Sequence, residues 1–306
     1  MQPHNPAKNQ KILVLGAGEL GLAVVRALVL NPTAEVAVML RPVAPEAISS
    51  ERHQALHELE SLGVEVLAGD AVNDSEEQLA ASFSAFDTLV SCLGFVAGPG
   101  TQRKLTRAAL QSDIKRYVPW QFGVDYDAIG RGSPQDLFDE QLDVRDLLRA
   151  QSRVQWLIIS TGMFTSFLFE PGFGVVDLDN NTVRALGSWD TAVTVTTAQD
   201  IGRLTATILF DSTLRNQVVY IAGDTLTYGQ LADTVERLLD RALERVEWTV
   251  PALEADLRAE PDDQLRKYRA VFAQGRGVAW DKARTYNGER QIETTNVVRW
   301  IEQNLL

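Results

Sequence analysis

Along the first 160 residues, short apolar runs alternate with stretches in which apolar residues recur every three or four positions. Lys11-Ile12-Leu13-Val14-Leu15 is too short for a helix and has the continuous apolar character of a strand buried on both faces. Beyond it, Leu20, Val24 and Leu28 recur every fourth residue with Ala23 and Ala27 beside them, which lays one apolar stripe along a helix. Asn31-Pro32 ends that helix, since proline has no N–H to continue it. Val36-Ala37-Val38-Met39-Leu40 makes a second strand. Further strands follow at 64–68, 88–94, 116–120 and 154–160, with helices over 75–85, 102–112 and 136–150 between them. Strands alternating with helices predict an α/β fold, a doubly wound parallel sheet covered on both faces.

After residue 164 the pattern changes. Phe164, Phe167, Phe169 and Phe173 cluster with Pro171 and with Gly162, Gly172 and Gly174. That composition suits either an apolar, irregular lobe lining a cleft or a core cluster under a loop. Thr191 to Thr196 alternates like a half-exposed strand, and Asp200-Ile201-Gly202 opens a helix to about residue 210. Val218 to Ala222 reads as the last sheet strand, followed by a helix over 228–245. Residues 251–290 are charged and mostly helical, broken at Gly275-Arg276-Gly277, and a final helix spans about 295–303. The expected division is a first domain over 1–163 plus about 190–245, a smaller, mostly helical substrate lobe over about 164–189 and 246–294, and a C-terminal helix over 295–306.

The first crossover carries candidate chemistry. Gly16-Ala17-Gly18-Glu19-Leu20-Gly21 joins the first strand to its helix, within a strand, turn, helix and strand of about thirty residues. In that context Gly16 permits a tight turn, Gly18 lets a pyrophosphate approach bare backbone, and Gly21 lets the helix pack on its strand. The helix N-terminus then offers free N–H groups and a partial positive charge to the phosphates. Which dinucleotide binds depends on the end of the second strand. An acid there accepts from the ribose 2′-OH, whereas an arginine favours a 2′-phosphate. The residue at that point is Arg41, and the nearest acid, Glu35, lies at the wrong end of the strand. A guanidinium pairs with phosphate bidentately and stacks on adenine, so NADP(H) is the expected cofactor; the alternative for Arg41 is an ordinary surface loop residue.

Ligands of such sheets bind outside the carboxyl ends of the strands. The candidates are therefore Asp70, Cys92 to Gly94, Trp120 to Gly123, and Thr161 to Phe164. Asp70 either bonds adenine or caps the helix that follows it. Cys92 reads as a small filler beside the cofactor, since no histidine can be placed next to it.

Composition narrows the partners. Of 306 residues, 41 are acidic and 29 basic, a formal charge of −12, and no run of Lys and Arg breaks that balance, so a nucleic-acid partner is not expected. Cys92 is the sole cysteine, which rules out an internal disulfide and a cysteine-based zinc site. The histidines are His4, His53 and His57; the last two sit in what reads as an exposed amphipathic helix with no third ligand nearby, so no metal is expected. No apolar stretch approaches the ~20 residues that span a bilayer, and residues 1–10 lack a signal peptide's apolar core, so no membrane partner and a cytoplasmic location are expected.

Lys115-Arg116-Tyr117-Val118-Pro119-Trp120-Gln121-Phe122-Gly123-Val124-Asp125 resembles the K-R-F-x-P-S-E-F-G-x-D segment of the isoflavone reductase-like, NmrA-like branch of atypical short-chain dehydrogenases. The glycine turn at 16–21, the position of Arg41, Phe138 followed by Val144-Arg145, the Thr161-Gly162-Met163-Phe164 turn and the stretch from Thr194 to Gly202 extend the resemblance over nearly the whole chain. It implies a Rossmann domain binding NADPH, a smaller carboxyl-side lobe, and a substrate held between them over the nicotinamide. By position it implies that Phe122 flanks the nicotinamide and that Met163 and Phe164 line the substrate side. Enzymes of this group reduce phenylpropanoid-derived compounds, so a small apolar or aromatic substrate is implied: a bulky aromatic carbonyl, enone or benzylic ether. Trp120, Phe167 and Phe169 would help enclose it.

The chain departs from this pattern at the chemistry. Plant members place a lysine three residues before the Val-Arg pair, where this chain has Gln141. The Y-x-x-x-K pair of short-chain dehydrogenases is absent, because no lysine lies between Lys115 and Lys267, and the plant Ser-Glu pair is replaced by Trp120-Gln121. An amide can hydrogen-bond an oxygen that gains charge but is a poor proton donor. The expected roles are Gln141 or Gln121 at the developing oxyanion, with Tyr126 or water giving the proton. The alternative is an NmrA-like redox sensor that binds NAD(P) without catalysis. Substrate identity, hydride face and oligomeric state stay open.

Overall fold

The computed structural model describes residues 9–44 and 49–306; His4 lies outside them. In chain order the elements are β1 (Gln10–Leu15), α1 (Glu19–Leu28), β2 (Ala34–Leu40), α2 (Ser50–Ser61), β3 (Glu65–Ala68), α3 (Glu76–Phe83), β4 (Thr88–Ser91), α4 (Thr101–Gln111), β5 (Arg116–Val118), α5 (Tyr126–Ile129), α6 (Leu137–Arg149) and β6 (Gln155–Ser160). They continue with β7 (Met163–Phe164), β8 (Val176–Asp177), β9 (Thr182–Leu186), β10 (Ala192–Thr196), α7 (Ala198–Phe210), β11 (Gln217–Tyr220), β12 (Asp224–Thr227), α8 (Tyr228–Leu239), β13 (Glu244–Trp248), α9 (Val250–Ala259), α10 (Gln264–Ala273), α11 (Tyr286–Glu289) and α12 (Val297–Asn304).

Among the described residues, seven strands form one sheet in the order β11-β6-β5-β4-β1-β2-β3. The pairings from β3 through β6 are all parallel. The chain winds outward from β1 to β3, then crosses back to β4 and winds the other way. The point of reversal lies between β1 and β4, where doubly wound sheets open a crevice at the strands' carboxyl ends. The expected doubly wound α/β architecture is present.

The chain forms two compact units. The first takes the chain up to Trp120 together with Asp143–Ile158 and Gly202–Val218; the second takes Gln121–Leu142, Ile159–Ile201 and Val219–Leu306. The first unit's core joins Leu13, Leu15 and Leu89 of the sheet to Leu79 and Phe83 of α3 and Leu105 of α4, with Tyr117 and Ile158 alongside. Fully burying one such side chain stabilises the fold by about 1.5–3 kcal/mol. Ser75 and Gln78 close a reciprocal capping box at the start of α3.

The second unit holds two small sheets, β12-β10-β7 and β13-β9-β8. Two expectations change here. β10 is buried on both faces rather than half-exposed, because its polar face is satisfied internally: the Thr194 and Thr225 hydroxyls bond each other at 2.8 Å, and the Thr196 hydroxyl donates to the Thr161 carbonyl at 2.6 Å. The helix expected to reach residue 245 stops at Leu239, where Asp240 turns left-handed (φ 49°), and the chain re-enters as β13, parallel to β9. Strands β12 and β13 therefore follow the segment expected to be the last strand. No helix among the described residues is long and apolar enough to cross a membrane.

Candidate active site

The first unit carries a cleft of about 540 Å³ lined by Gly16, Ala17, Gly18, Arg41, Asp70, Cys92, Leu93 and Gly94, together with Ser49, Glu51 and Arg52. Every residue singled out after β1, β2, β3 and β4 except the first helical turn thus meets at one cavity. Glu19, Leu20 and Gly21 form that turn, and the first N–H groups of a helix have no partner within it. Gly16 sits at φ +91°. A Cβ on Gly21 would lie 2.2 Å from the Gly16 carbonyl oxygen, so α1 rests directly on the crossover. A Cβ on Gly18 would meet nothing within 4 Å. The crossover is thus closed toward the protein and open toward the cleft, the shape a diphosphate on bare main chain requires.

At the far wall Arg41 is exposed just beyond β2, while Glu35, at the strand's other end, pairs with Lys11 at 3.7 Å and does not line the cleft. Arg52, in the first turn of α2, was not expected from the sequence. Its Nη2 donates to the Arg41 carbonyl at 2.5 Å, and its Nε is buried without a partner. Arg52 and Arg41 both line the cleft, and two guanidiniums at one cavity suit a phosphate group. The signal was present as an arginine opening the helix after Arg41, but that helix reads as a solvated surface element.

Asp70 directs its carboxylate into its own loop, accepting from Val72 N at 2.9 Å, Asn73 N at 3.1 Å and Asn73 Nδ2 at 2.8 Å. Desolvation pushes its pKa up, but the bonds from Asn73 and Val72 and the charge of Arg41 outweigh this and hold it below the ordinary value. Burial pushes the Cys92 thiol up, which makes it a poor nucleophile. Buried Gln102 donates to the Leu93 carbonyl at 2.8 Å and fixes the turn after β4. Trp120 packs on that turn: its indole would be 3.1 Å from a Cβ at Gly94, and it meets Phe95 edge-on at 4.6 Å. His53 and His57 are exposed on α2, and among the described residues no group of three or more acidic, cysteine or histidine side chains is arranged to hold a metal.

In the second unit, hydrogen bonds gather the segment after Trp120 against two others. Gln121 Nε2 donates to the Gln141 carbonyl at 2.8 Å, and the Gly123 carbonyl accepts from Thr161 N at 2.9 Å and Gly162 N at 3.0 Å. This brings Gln121, Phe122, Gln141 and the start of β7 at Met163 into one assembly. Tyr126 joins it, since a Cβ on Gly123 would lie 2.7 Å from the phenol oxygen. Gln141 is wholly buried, and neither its Nε2 nor its Oε1 has a hydrogen-bond partner. Leaving a buried polar group unpaired costs about 1–3 kcal/mol, so an amide orphaned at both ends needs a reason. Gln121, by contrast, has committed its amide nitrogen to the Gln141 main chain.

A chain of rings runs through the same unit. Tyr126 meets Phe138 at 5.0 Å, Phe138 meets Tyr268 at 5.9 Å, Tyr268 meets Phe167 at 6.1 Å, and Phe167 stacks on Phe173 at 4.5 Å. Phe164 is half-buried at the end of β7, and Phe169 stacks on Trp300 of α12 at 4.5 Å. The loop bearing Phe173 is pinned by two arginines. Arg269 donates to the carbonyls of Gly172 and Phe173, Arg184 to that of Gly174, and both guanidiniums lie over the Trp248 ring, at 5.0 and 5.1 Å.

A reversing parallel sheet with a glycine crossover and a cleft at its carboxyl ends defines a Rossmann-type dinucleotide-binding class. The NmrA-like family matches residues 8–276, and the chain belongs to that family. It is 45% identical over 300 residues to the NmrA-like family domain-containing oxidoreductase of Gibberella moniliformis, covering 96% of this chain and 98% of the relative. Its fold matches a crystal structure of isoflavone reductase with a TM-score of 0.80, at 22% identity over 96% of this chain and 99% of that one. The complex of AtPrR2 with NADP+ and (+)pinoresinol matches with a TM-score of 0.70, at 23% identity over 88% and 86% of the two chains. The resemblance drawn from residues 115–125 is therefore a true family membership, and the protein is an oxidoreductase of that family.

Proposed function

We infer that the protein is an NADPH-dependent reductase of a bulky aromatic, phenylpropanoid-like carbonyl, enone or benzylic ether. The observation that carries this reading is the buried Gln141 amide with both ends unpartnered, on the helix that also carries Phe138, whose ring meets Tyr126 at 5.0 Å. The cofactor fits the first unit's residues: main-chain N–H groups at 16–21 would hold the diphosphate, and Arg41 and Arg52 the 2′-phosphate. Bound NADPH supplies a hydride. The chain's own contribution is orientation and charge stabilisation. Gln141 Nε2 would donate to the acceptor oxygen as it gains charge, Gln121 would hold the Gln141 main chain in place, and Tyr126 or water would return the proton. Phe122, Met163, Phe164, Phe167 and Phe169 of the second unit would supply the apolar surroundings.

The test mixes purified protein, NADPH and a panel of aromatic ketones, enones and benzylic ethers, and follows loss of the dihydronicotinamide absorbance. Gln141→Ala should lower turnover by ~10²–10³, the usual cost of removing one oxyanion donor. Near wild-type turnover in that variant would remove Gln141 from the reaction. Tight NADPH binding with no oxidation across the panel would favour the redox sensor instead.

A further inference from the structure

The cleft of the first unit carries two carboxylates as well as two guanidiniums: Glu51 and Asp70 line it together with Arg41 and Arg52. The two acids are placed differently. Asp70 turns its oxygens into its own loop, whereas Glu51 is exposed in the first turn of α2, next to Arg52. The N-terminus of a helix favours negative charge, and at α2 the chain's own carboxylate is what sits there. Ser49, the N-cap, accepts from Arg52 N at 3.3 Å and gives its own hydroxyl proton to Glu51, and Ser50 Oγ donates to Glu51 Oε1 at 3.2 Å. The Ser49 hydroxyl, the Glu51 N–H and the Ser50 hydroxyl outweigh desolvation and hold the Glu51 carboxyl below the ordinary carboxylate range. Glu51 is therefore an anion at neutral pH.

That anion bears on which coenzyme the cleft prefers, an inference that rests on the cofactor reading above. Arg52 Nη2 donates to the Arg41 carbonyl, which fastens the first turn of α2 to the segment after β2. A 2′-phosphate held by Arg41 and Arg52 then arrives beside the residue that precedes Arg52. The phosphate carries about −1.5 to −2 charges at pH 7, and the 2′-OH of the unphosphorylated coenzyme carries none. The phosphate is repelled by Glu51, and both serine hydroxyls at that helix end already serve the carboxylate. A ribose 2′-OH can instead donate to it. Two guanidiniums pull toward the phosphorylated coenzyme, and one carboxylate pulls back.

We propose that Glu51 is a specificity-determining residue for the coenzyme: its carboxylate restrains the preference for NADPH that Arg41 and Arg52 set, and keeps NADH within reach of the same cleft. Because Glu51 is exposed, the repulsion acts through solvent, so it amounts to a few-fold and is screened by salt.

The test reads binding without turnover. Fluorescence titrations with NADPH and NADH at low ionic strength compare the parent with Glu51→Gln and Glu51→Asp, and the exposed position lets both variants fold as the parent does. Glu51→Gln removes the charge and keeps an acceptor oxygen, so NADPH should bind about 3–10-fold tighter while NADH stays within about 2-fold. Glu51→Asp keeps the charge and should retain the parental ratio. Adenosine 2′,5′-bisphosphate, which carries the 2′-phosphate without the nicotinamide, should show the same gain in Glu51→Gln. Raising salt to about 0.5 M should shrink that gain, which an altered helix end alone would not do. An unchanged ratio of the two coenzymes in Glu51→Gln, an equal change for both, or a gain that salt leaves untouched overturns this role for Glu51 and leaves the cofactor reading standing. A parent protein that binds neither coenzyme overturns the cofactor reading, and this inference with it.

Discussion

Gly18 and Gly21 lie three residues apart in the crossover, yet substitution by alanine should affect them in opposite ways. At Gly18 the backbone is extended (φ −76°, ψ −171°), and an added Cβ meets nothing within 4 Å. Alanine there is unstrained, and the loss of glycine's freedom in the unfolded chain should stabilise the protein by about 0.4–1 kcal/mol. The same methyl group occupies the space through which a diphosphate reaches the main chain, so NADPH affinity should fall at least ~10-fold, about 1.4 kcal/mol. At Gly21 the Cβ would lie 2.2 Å from the Gly16 oxygen, where an ordinary carbon–oxygen approach is about 3.3 Å. Helix α1 or the crossover must then move by about 1 Å. Overpacking of that kind costs about 1–3 kcal/mol, and a displacement of 1 Å in a binding loop costs about 10²-fold in function. Thermal denaturation and NADPH titration by fluorescence give both quantities for both variants. Gly18→Ala should be as stable as the parent or more so but bind poorly, and Gly21→Ala should lose both. A Gly18→Ala protein that binds NADPH with parental affinity would refute the reasoning, because the cofactor would not be approaching that main chain.

Three further outcomes follow from the same structure. Arg41→Ala and Arg52→Ala should each weaken NADPH binding about 10-fold while leaving NADH binding unchanged, if each guanidinium contributes about 1.4 kcal/mol to the 2′-phosphate; equal losses for both coenzymes in competition titrations would remove them from that role. Trp248→Leu should destabilise the protein by about 2–3 kcal/mol and expose the 170–177 loop to proteolysis, since both guanidiniums that pin the loop rest on that ring, whereas Trp248→Phe should retain most of the stability. Stability should also fall in alkali. Burial raises the pKa values of Cys92, Tyr228 and Tyr268, so the folded protein keeps protons that the unfolded chain releases above about pH 8.5 for the thiol and about pH 10 for the phenols. The folded state then binds more protons than the unfolded, the urea midpoint should decline as pH rises through that window, and a midpoint constant from about pH 8 to 11 would contradict it.

What the sequence made legible was what local signals encode. Continuous apolar runs marked β1 and β2, and Gly16, Gly18 and Gly21 marked the crossover, because strand burial and tight turns depend on residues adjacent in the chain. Features set by distant partners were not legible. β10 read as half-exposed because threonine looks polar, and only its bonds to Thr225 and Thr161 allow that face to be buried. β13 was hidden because Glu244-Arg245-Val246-Glu247-Trp248 continues the charge pattern of α8 and becomes a strand through pairing with β9. Arg52 was missed because its place at the cleft depends on how α2 folds back beside Arg41. Gln141 was picked out by a departure from the family pattern, but that both ends of its amide are buried without partners is a fact of packing.

The account depends most directly on the first crossover and on the guanidiniums facing it across the cleft. Titrating the purified protein with NADPH and NADH in parallel at one ionic strength tests both at once. The account predicts saturable binding of NADPH, at least ~10-fold tighter than that of NADH. Absence of measurable affinity for either coenzyme would contradict it.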